Sequence, residues 1–332
     1  MKYCDVCLHD ALCEIQRKVG DNVETKKVWL IYLMLAVATS TWGSAFIAGK
    51  FAVESFEPAT VAFLRFFGAA LLLFPLMWYK ERNIPKPTKK DWFLFAMLGL
   101  TGIALYNIFF FLASKHAPVI KSSLFIAANP VLIIILSVFF LKEKISKNQV
   151  IGLILALLGA SIIVTNGHLG IFVAMAFEPI DLILLGAVIC WALYSVIGRV
   201  VLQKYSSIVS TTYAVGFGTL FLLPFALRET SVSDLASSSM TAWLAIGHMS
   251  VFVTVVSFIM YYYGIQQVGA AKASIFINFM PISAVIMASL FLGEAFTIPH
   301  FIGAVFVLFG ITLSTYKKPV NSHKTKQKKK LA

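Results

Sequence analysis

Five charged residues stand inside or at the edges of long apolar runs, and their types and spacing define what chemistry the chain can do. A charge at the centre of a bilayer costs about 2.5–3.5 kcal/mol on insertion scales, so each needs a reason. Arg65 lies seven residues into the run that begins at Pro58. It can act as counter-charge for a carboxylate, anchor a helix bundle or reach back to the headgroups, and it is assigned here as a structural charge. Lys121 and Lys272 each stand a few residues into an apolar run, as snorkelled cations or as gate residues that pair with a ligand. Glu143 and Glu294 close two of the runs, where capping is the expected role. A carboxylate that handles protons would instead lie within the bundle, its pKa raised by burial. Asn107, Asn129 and Asn278 are amides inside apolar runs, suited to joining helices or to contacting a polar ligand. Lys121, Phe125 and Asn129 are spaced i, i+4, i+8 and share one helical stripe, which is expected to face a cavity. Pro130 and Pro281 each remove a backbone bond and free the carbonyl four residues earlier, at Ile126 and Ile277, which makes them expected hinges. Trp42, Trp191 and Tyr194 add aromatic surface for an apolar or aromatic ligand.

The elements that position these residues follow from composition. Of 332 residues 59% are apolar and 13% charged, too few charges to make the polar skin of a water-soluble fold. A soluble enzyme, a disordered chain and a disulfide scaffold are thereby excluded. The net charge of +13 does not make a nucleic-acid binder, because most of the Lys and Arg sit between apolar runs or in the tails. A hydrocarbon core about 30 Å thick needs about 20 apolar residues per helix. Ten runs qualify: 28–49, 58–78, 91–112, 118–141, 149–165, 180–200, 207–227, 241–263, 270–292 and 298–316. No alternating pattern suggests a β-barrel. With the N-terminus inside, 23 of the 28 Lys and Arg fall on the cytoplasmic side, so both termini are expected there in a multi-pass cell-membrane protein. The expected order is a cytoplasmic extension without regular structure (1–27), a first five-span unit (28–165), an interfacial linker (166–179), a second five-span unit (180–316) and a basic tail (317–332).

The two units are copies of one another. Lys121, Ser123, Pro130, Leu141, Glu143, Gly152 and Gly159 recur 151 residues later as Lys272, Ser274, Pro281, Leu292, Glu294, Gly303 and Gly310. Trp42, Gly49 and Lys50 recur 149 residues later as Trp191, Gly198 and Arg199. Five spans per copy is an odd number, so the second copy enters the membrane from the opposite side. Inverted repeats are the architecture of secondary transporters, which exchange the conformations of their halves. The fold class expected is all-α, ten transmembrane helices in two inverted five-helix repeats around a central cavity.

Several of these residues also carry a family resemblance. Trp42-Gly43-Ser44 with Phe46, Leu64-Arg65-Phe66, and the repeated run from Pro130 or Pro281 through Glu143 or Glu294 to the glycines resemble the EamA branch of the drug/metabolite transporter superfamily. The resemblance covers roughly 28–316. It implies a cavity lined mainly by spans 1, 3, 4, 6, 8 and 9, and an exporter of small metabolites such as amino acids, nucleosides or toxic cations. A small-molecule substrate and the lipid bilayer are the expected partners, and a monomer the expected state. No acid lies clearly at mid-membrane, so proton coupling, exchange and facilitated diffusion all stay open.

Other classes fit less well. An intramembrane lipid-modifying enzyme would need paired carboxylates, a Ser/Lys dyad or a histidine cluster in the spans, and only His248 lies within one. A receptor or scaffold does not call for inverted duplication. An ATP-driven pump would need G-x4-G-K-[ST], which does not occur. Cys4, Cys7, Cys13 and His9 match no standard zinc spacing. No metal, cofactor or catalytic residue is therefore expected.

Overall fold

A computed structural model describes residues 2–116, 125–168, 170, 178–230, 235, 237–293 and 295–315; for 2–27, 111, 113–116 and 292 the description covers the backbone alone. All regular structure among the described residues is helical. In chain order the helices are α1 (Lys2–Val53), α2 (Pro58–Lys80), α3 (Lys89–Phe110), α4 (Phe125–Leu141), α5 (Lys147–Val164), α6 (Pro179–Val201), α7 (Ser207–Glu229), α8 (Met240–Val268), α9 (Ala270–Phe291) and α10 (Ile298–Thr315). Nine of these are long and apolar enough to cross a membrane, while the described part of α4 is shorter. Lys121, Glu294, most of the linker 166–179 and the basic tail 317–332 lie outside the described residues. One expectation needs correcting. The extension 1–27 was expected to lack regular structure, but its backbone from Lys2 onward is continuous with the first span, whose apolar part starts at Val28. The composition changes there; the helical geometry does not.

Two helices show how the halves meet. Along α5 and α10 the glycines exchange partners: Gly152 lies against the Gly310 backbone and Gly159 against Gly303. By sequence, however, Gly152 corresponds to Gly303 and Gly159 to Gly310. Low numbers on one helix therefore meet high numbers on its twin, so equivalent helices run antiparallel. That is an inverted repeat about an axis in the membrane plane. Only glycine permits the approach, since a Cβ at Gly152 would stand 2.3 Å from the Gly310 carbonyl oxygen.

The same inversion governs the centre. The α3 ladder loosens to a π-helix over Gly99–Leu105, and α8 does so over Met249–Val256, 150 residues on. Each π segment receives the second helix of the other half. Gly68 of α2 closes on Ser250 of α8, and its counterpart Gly218 of α7 closes on Ile103 of α3. Such π segments are uncommon and often mark functional regions. The core between them holds Phe66, Phe95, Tyr194, Tyr261 and Tyr262, each under 2% exposed.

Gly152→Ala tests the seam. Alanine gains roughly 1 kcal/mol of helix propensity over glycine, yet its methyl meets backbone that cannot move aside. Overpacking by about 1–3 kcal/mol is expected to win, lowering the melting temperature in detergent. An unchanged or raised melting temperature would refute the close approach of α5 and α10.

Candidate functional site

The repeat-equivalent tryptophans meet. Trp42 from α1 and Trp191 from α6 stand edge to face with ring centroids 5.2 Å apart. The α1 helix presents Trp42 because α1 packs across α8, and the Trp42 indole N–H donates to the Val253 carbonyl in the π segment at 3.2 Å. Around the pair lie Tyr261 at 4.9 Å and Phe258 at 5.7 Å from Trp42, with Tyr106 at 5.0 Å and Tyr194 at 5.2 Å from Trp191. Tyr194 in turn stacks on Tyr262 at 4.9 Å. Both tryptophans are under 8% exposed. The rings thus occupy the junction of the halves, packed on one another. The sequence singled out Trp42, Trp191 and Tyr194 but not Tyr106 or Phe258, whose positions do not match between the repeats.

The other expected cavity residues scatter. Asn107 spends its amide on its own helix, donating from Nδ2 to the Ile103 carbonyl at 2.6 Å. Phe125 leaves the aromatic group and packs with Leu184, Ile180 and Ile183 of α6. Asn129 and Asn278 are buried at 1% and 0% exposure. Asn278 Nδ2 donates to the Ile275 carbonyl at 3.1 Å, while the Oδ1 atoms of Asn129 and Asn278 have no hydrogen-bond partner among the described residues. Lys272 is half-buried in the first turn of α9.

The two prolines follow helix interruptions. In α4 the regular ladder pauses at Ala128, and Pro130 enters the first turn of the next segment. In α9 a 3₁₀ turn, Phe276–Asn278, separates two α segments, and Pro281 lies just beyond it. Pro281 has no N–H for the Ile277 carbonyl, and the Phe279 N–H turns back onto Ile277 and Phe276 instead.

At the end of the bundle that carries Lys80, Arg82 and Lys142, the halves are tied by charge. The α4 helix ends on Lys142 in the left-handed conformation, φ 53°, and Glu143 crosses to the start of α9. Its Oε1 accepts from the Ala270 N–H at 3.0 Å and its Oε2 from the Ala271 N–H at 3.1 Å. A carboxylate there satisfies orphan donors and meets the positive end of the helix dipole. Gly269, at φ 89°, leaves room for it. Arg199 at the end of α6 lies 3.9 Å from Glu143 Oε1 and donates to the carbonyls of Ile265 and Gln266. In the sequence Arg199 is the repeat counterpart of Lys50, a match that by itself gives it no role. Nearby, Asp91 Oδ2 accepts from Lys204 Nζ at 2.5 Å and Tyr205 Oη at 2.9 Å. The carboxylate beside Lys204 holds that ammonium above its ordinary pKa.

Two further polar contacts were not anticipated. Ser44 Oγ of α1 and His248 Nε2 of α8 are 2.8 Å apart. Arg65 turns into the bundle, its Nε donating to Thr254 Oγ1 at 2.9 Å. Away from these, an apolar cleft of about 400 Å³ lies between α2, α3 and α7, lined by Phe74, Trp92, Tyr213 and Phe217 among others.

The sequence matches the model of the EamA-like transporter family twice, over residues 29–165 and 179–316. Among curated proteins it is 33% identical to the uncharacterized transporter YetK of Bacillus subtilis, covering 91% of each chain. It is 29% identical to the uncharacterized transporter YyaM of the same organism, covering 90% of this chain and 97% of that one. A protein named probable terminal-alkyne amino-acid exporter, from Streptantibioticus cattleyicolor, is 25% identical over 87% of this chain and 93% of its own. One solved crystal structure superposes with a TM-score of 0.71 at 19% identity, covering 86% of this chain and 98% of that chain. That likeness concerns the fold alone.

Glu143→Ala removes two charge-assisted bonds and leaves two helix donors unmet. A loss of about 1.5–3 kcal/mol is expected, read as a lower thermal midpoint in detergent. Glu143→Gln, which keeps one acceptor oxygen, should fall between, and Lys144→Ala should leave the midpoint in place. Equal midpoints for all three would show that the Glu143 contact carries no stability.

Proposed function

The chain belongs to the EamA-like transporter family and is a multi-pass membrane transporter, and we propose that it exports small organic metabolites across the cell membrane by alternating access. Amino acids, nucleosides and drug-like solutes are the candidate cargo. The name of the Streptantibioticus relative, a probable amino-acid exporter, adds weight to the first of these. The observation that carries the reading is the contact between Trp42 and Trp191. Residues equivalent in two inverted copies can touch only near their twofold axis, so this pair marks where the halves must part or slide for a solute to pass.

The rest of the mechanism follows from that placement. Interruptions at Ala128 in α4 and at Phe276–Asn278 in α9 supply points about which each half can bend, with Pro130 and Pro281 as hinges. The unpartnered Oδ1 atoms of Asn129 and Asn278 at those interruptions are acceptors a polar solute can reach when the bend changes. Glu143, seated on α9, ties the two halves at the basic end, and in this reading the tie must release for that end to open. The bias of Lys and Arg toward one side supports a cytoplasmic position for that end and for both termini.

Two measurements test this. In liposomes holding the purified protein, labelled amino acids, nucleosides and organic cations should exchange across the membrane without chemical change. Trp191→Ala should cut the flux about tenfold, the equivalent of 1.4 kcal/mol, at unchanged folded yield. Product formation, or full flux in Trp191→Ala, would overturn the reading. For orientation, a single cysteine beside Arg228 should react with an impermeant thiol reagent from outside and one beside Lys86 should not. The reverse pattern, or equal labelling, would overturn the topology.

A further inference from the structure

Arg65 is a charge with less company than its position demands. It is the eighth residue of α2, so it lies about 10 Å along the helix axis from Pro58. The helix lies flush on α8 there: Ser250 Oγ donates to the Arg65 carbonyl at 2.8 Å, and Gly68 admits the approach. Thr254 Oγ1 then takes the Nε hydrogen at 2.9 Å. The guanidinium carbon sits 4.7 Å from the centre of the Phe66 ring, and the Phe66 ring centre lies 6.3 Å from that of Phe258. A guanidinium carries five N–H groups, and one of them is used. Among the described residues the Nη atoms make no hydrogen bond and no carboxylate pairs with Arg65. Arg65 is half-buried, and a neutral hydroxyl and a ring face do not balance a charge held in a membrane-spanning segment.

The duplication supplies a control on whether the scaffold needs this charge. Gly68 and Gly218 are counterparts 150 residues apart, which makes Val215 of α7 the counterpart of Arg65. Val215 is fully buried, and α7 packs on the π segment of α3 as α2 packs on that of α8. The corresponding region of α3 offers Ile103 and Ala104 where α8 offers Thr254. The same packing is achieved in the other half with apolar side chains, so the arginine answers a different demand. Phe66, on which the guanidinium rests, adjoins Phe258, whose ring centre is 6.0 Å from Trp191, and Tyr106 lies 5.0 Å from the same indole; the charge is thereby at the edge of the central aromatic group.

We propose that Arg65 is the specificity-determining residue that binds the carboxylate of the transported solute, whose apolar body lies against Tyr106 and Trp191. The planar fork of the guanidinium suits a carboxylate held by two parallel bonds. The inference rests on the transport reading and narrows its cargo to small organic carboxylates, zwitterionic amino acids included.

The test uses full-length protein in liposomes and matched probes: L-norvaline, L-propargylglycine and L-phenylalanine, each against its carboxamide, with a nucleoside and an organic cation alongside. The wild type should carry the acids about tenfold or more faster than the amides, the span of one to two charge-assisted bonds. Arg65→Gln should abolish that preference while amide flux stays within about twofold, and Arg65→Lys, a point charge without the fork, should restore part of it. A bundle anchor would lower all fluxes together and leave the ratio intact, which would overturn the proposal. Should Arg65→Gln fail to fold, the wild-type ratio still decides: equal acid and amide flux overturns it. Movement of the nucleoside or cation without any acid overturns the carboxylate site and leaves transport standing. If no probe moves, the transport reading fails and the proposal falls with it.

Discussion

A bilayer offers peptide groups nothing to bond with, so every departure from the α-helical ladder has to be made good inside the protein. The described chain departs from it at the π segments of α3 and α8, at the interruptions in α4 and α9, and at Pro75 in α2 and Pro224 in α7, which bring no N–H to the ladder. At the two π segments, side-chain donors from neighbouring residues attend the loosened ladder. The Trp42 indole serves the Val253 carbonyl, and Ser257 Oγ reaches back to the Phe252 carbonyl. Thr101 Oγ1 does the same for Met97. These repairs hold the centre of the bundle together, and they fix the outlook of the groups that face a solute.

The scaffold is symmetric, whereas the polar chemistry is not. Tryptophans, glycines, prolines and π segments recur in both halves, because packing two inverted copies requires the same shape twice. The amides do not match: Asn129 corresponds to Met280 and Asn278 to Ala127. Neither does the arginine, whose counterpart is a valine. A solute is itself without twofold symmetry, and a duplicated protein can grip it only by letting the two copies diverge at the groups that touch it. Glu143 illustrates the opposite pressure. It works on the backbone of the other half, and such contacts tolerate change at neighbouring side chains.

Much of the architecture was legible in the sequence, because hydropathy and repetition report directly on membrane crossing and inversion. Nine of the spans appeared within a few residues, the start of the fourth lies outside the described residues, and the glycines that set the seam of α5 and α10 were visible as a repeated pair. The π segments were not, since a one-residue loosening of a helix leaves no trace in hydropathy. Arg65 shows a second limit. Its position in the run was clear, but a helix in lipid carries side chains all round, and only packing against α8 decides that the guanidinium turns inward. Phe125 shows a third. The stripe it shares with Asn129 is real as helical geometry, yet the interruption at Ala128 falls between them and each goes its own way. The helical backbone before Val28 was hidden for a simpler reason: polar residues sustain a helix without announcing it by an apolar face.

The glycine seam has an evolutionary corollary. Because Gly152 meets Gly310 while standing in for Gly303, the surface one half shows its twin is the surface it would show an upside-down copy of itself. An ancestral half, encoded alone and inserted in both orientations, would already have found its mate, as an antiparallel homodimer of dual topology. Gene fusion would then have added no new interface; it would have let one copy carry an arginine where the other carries a valine.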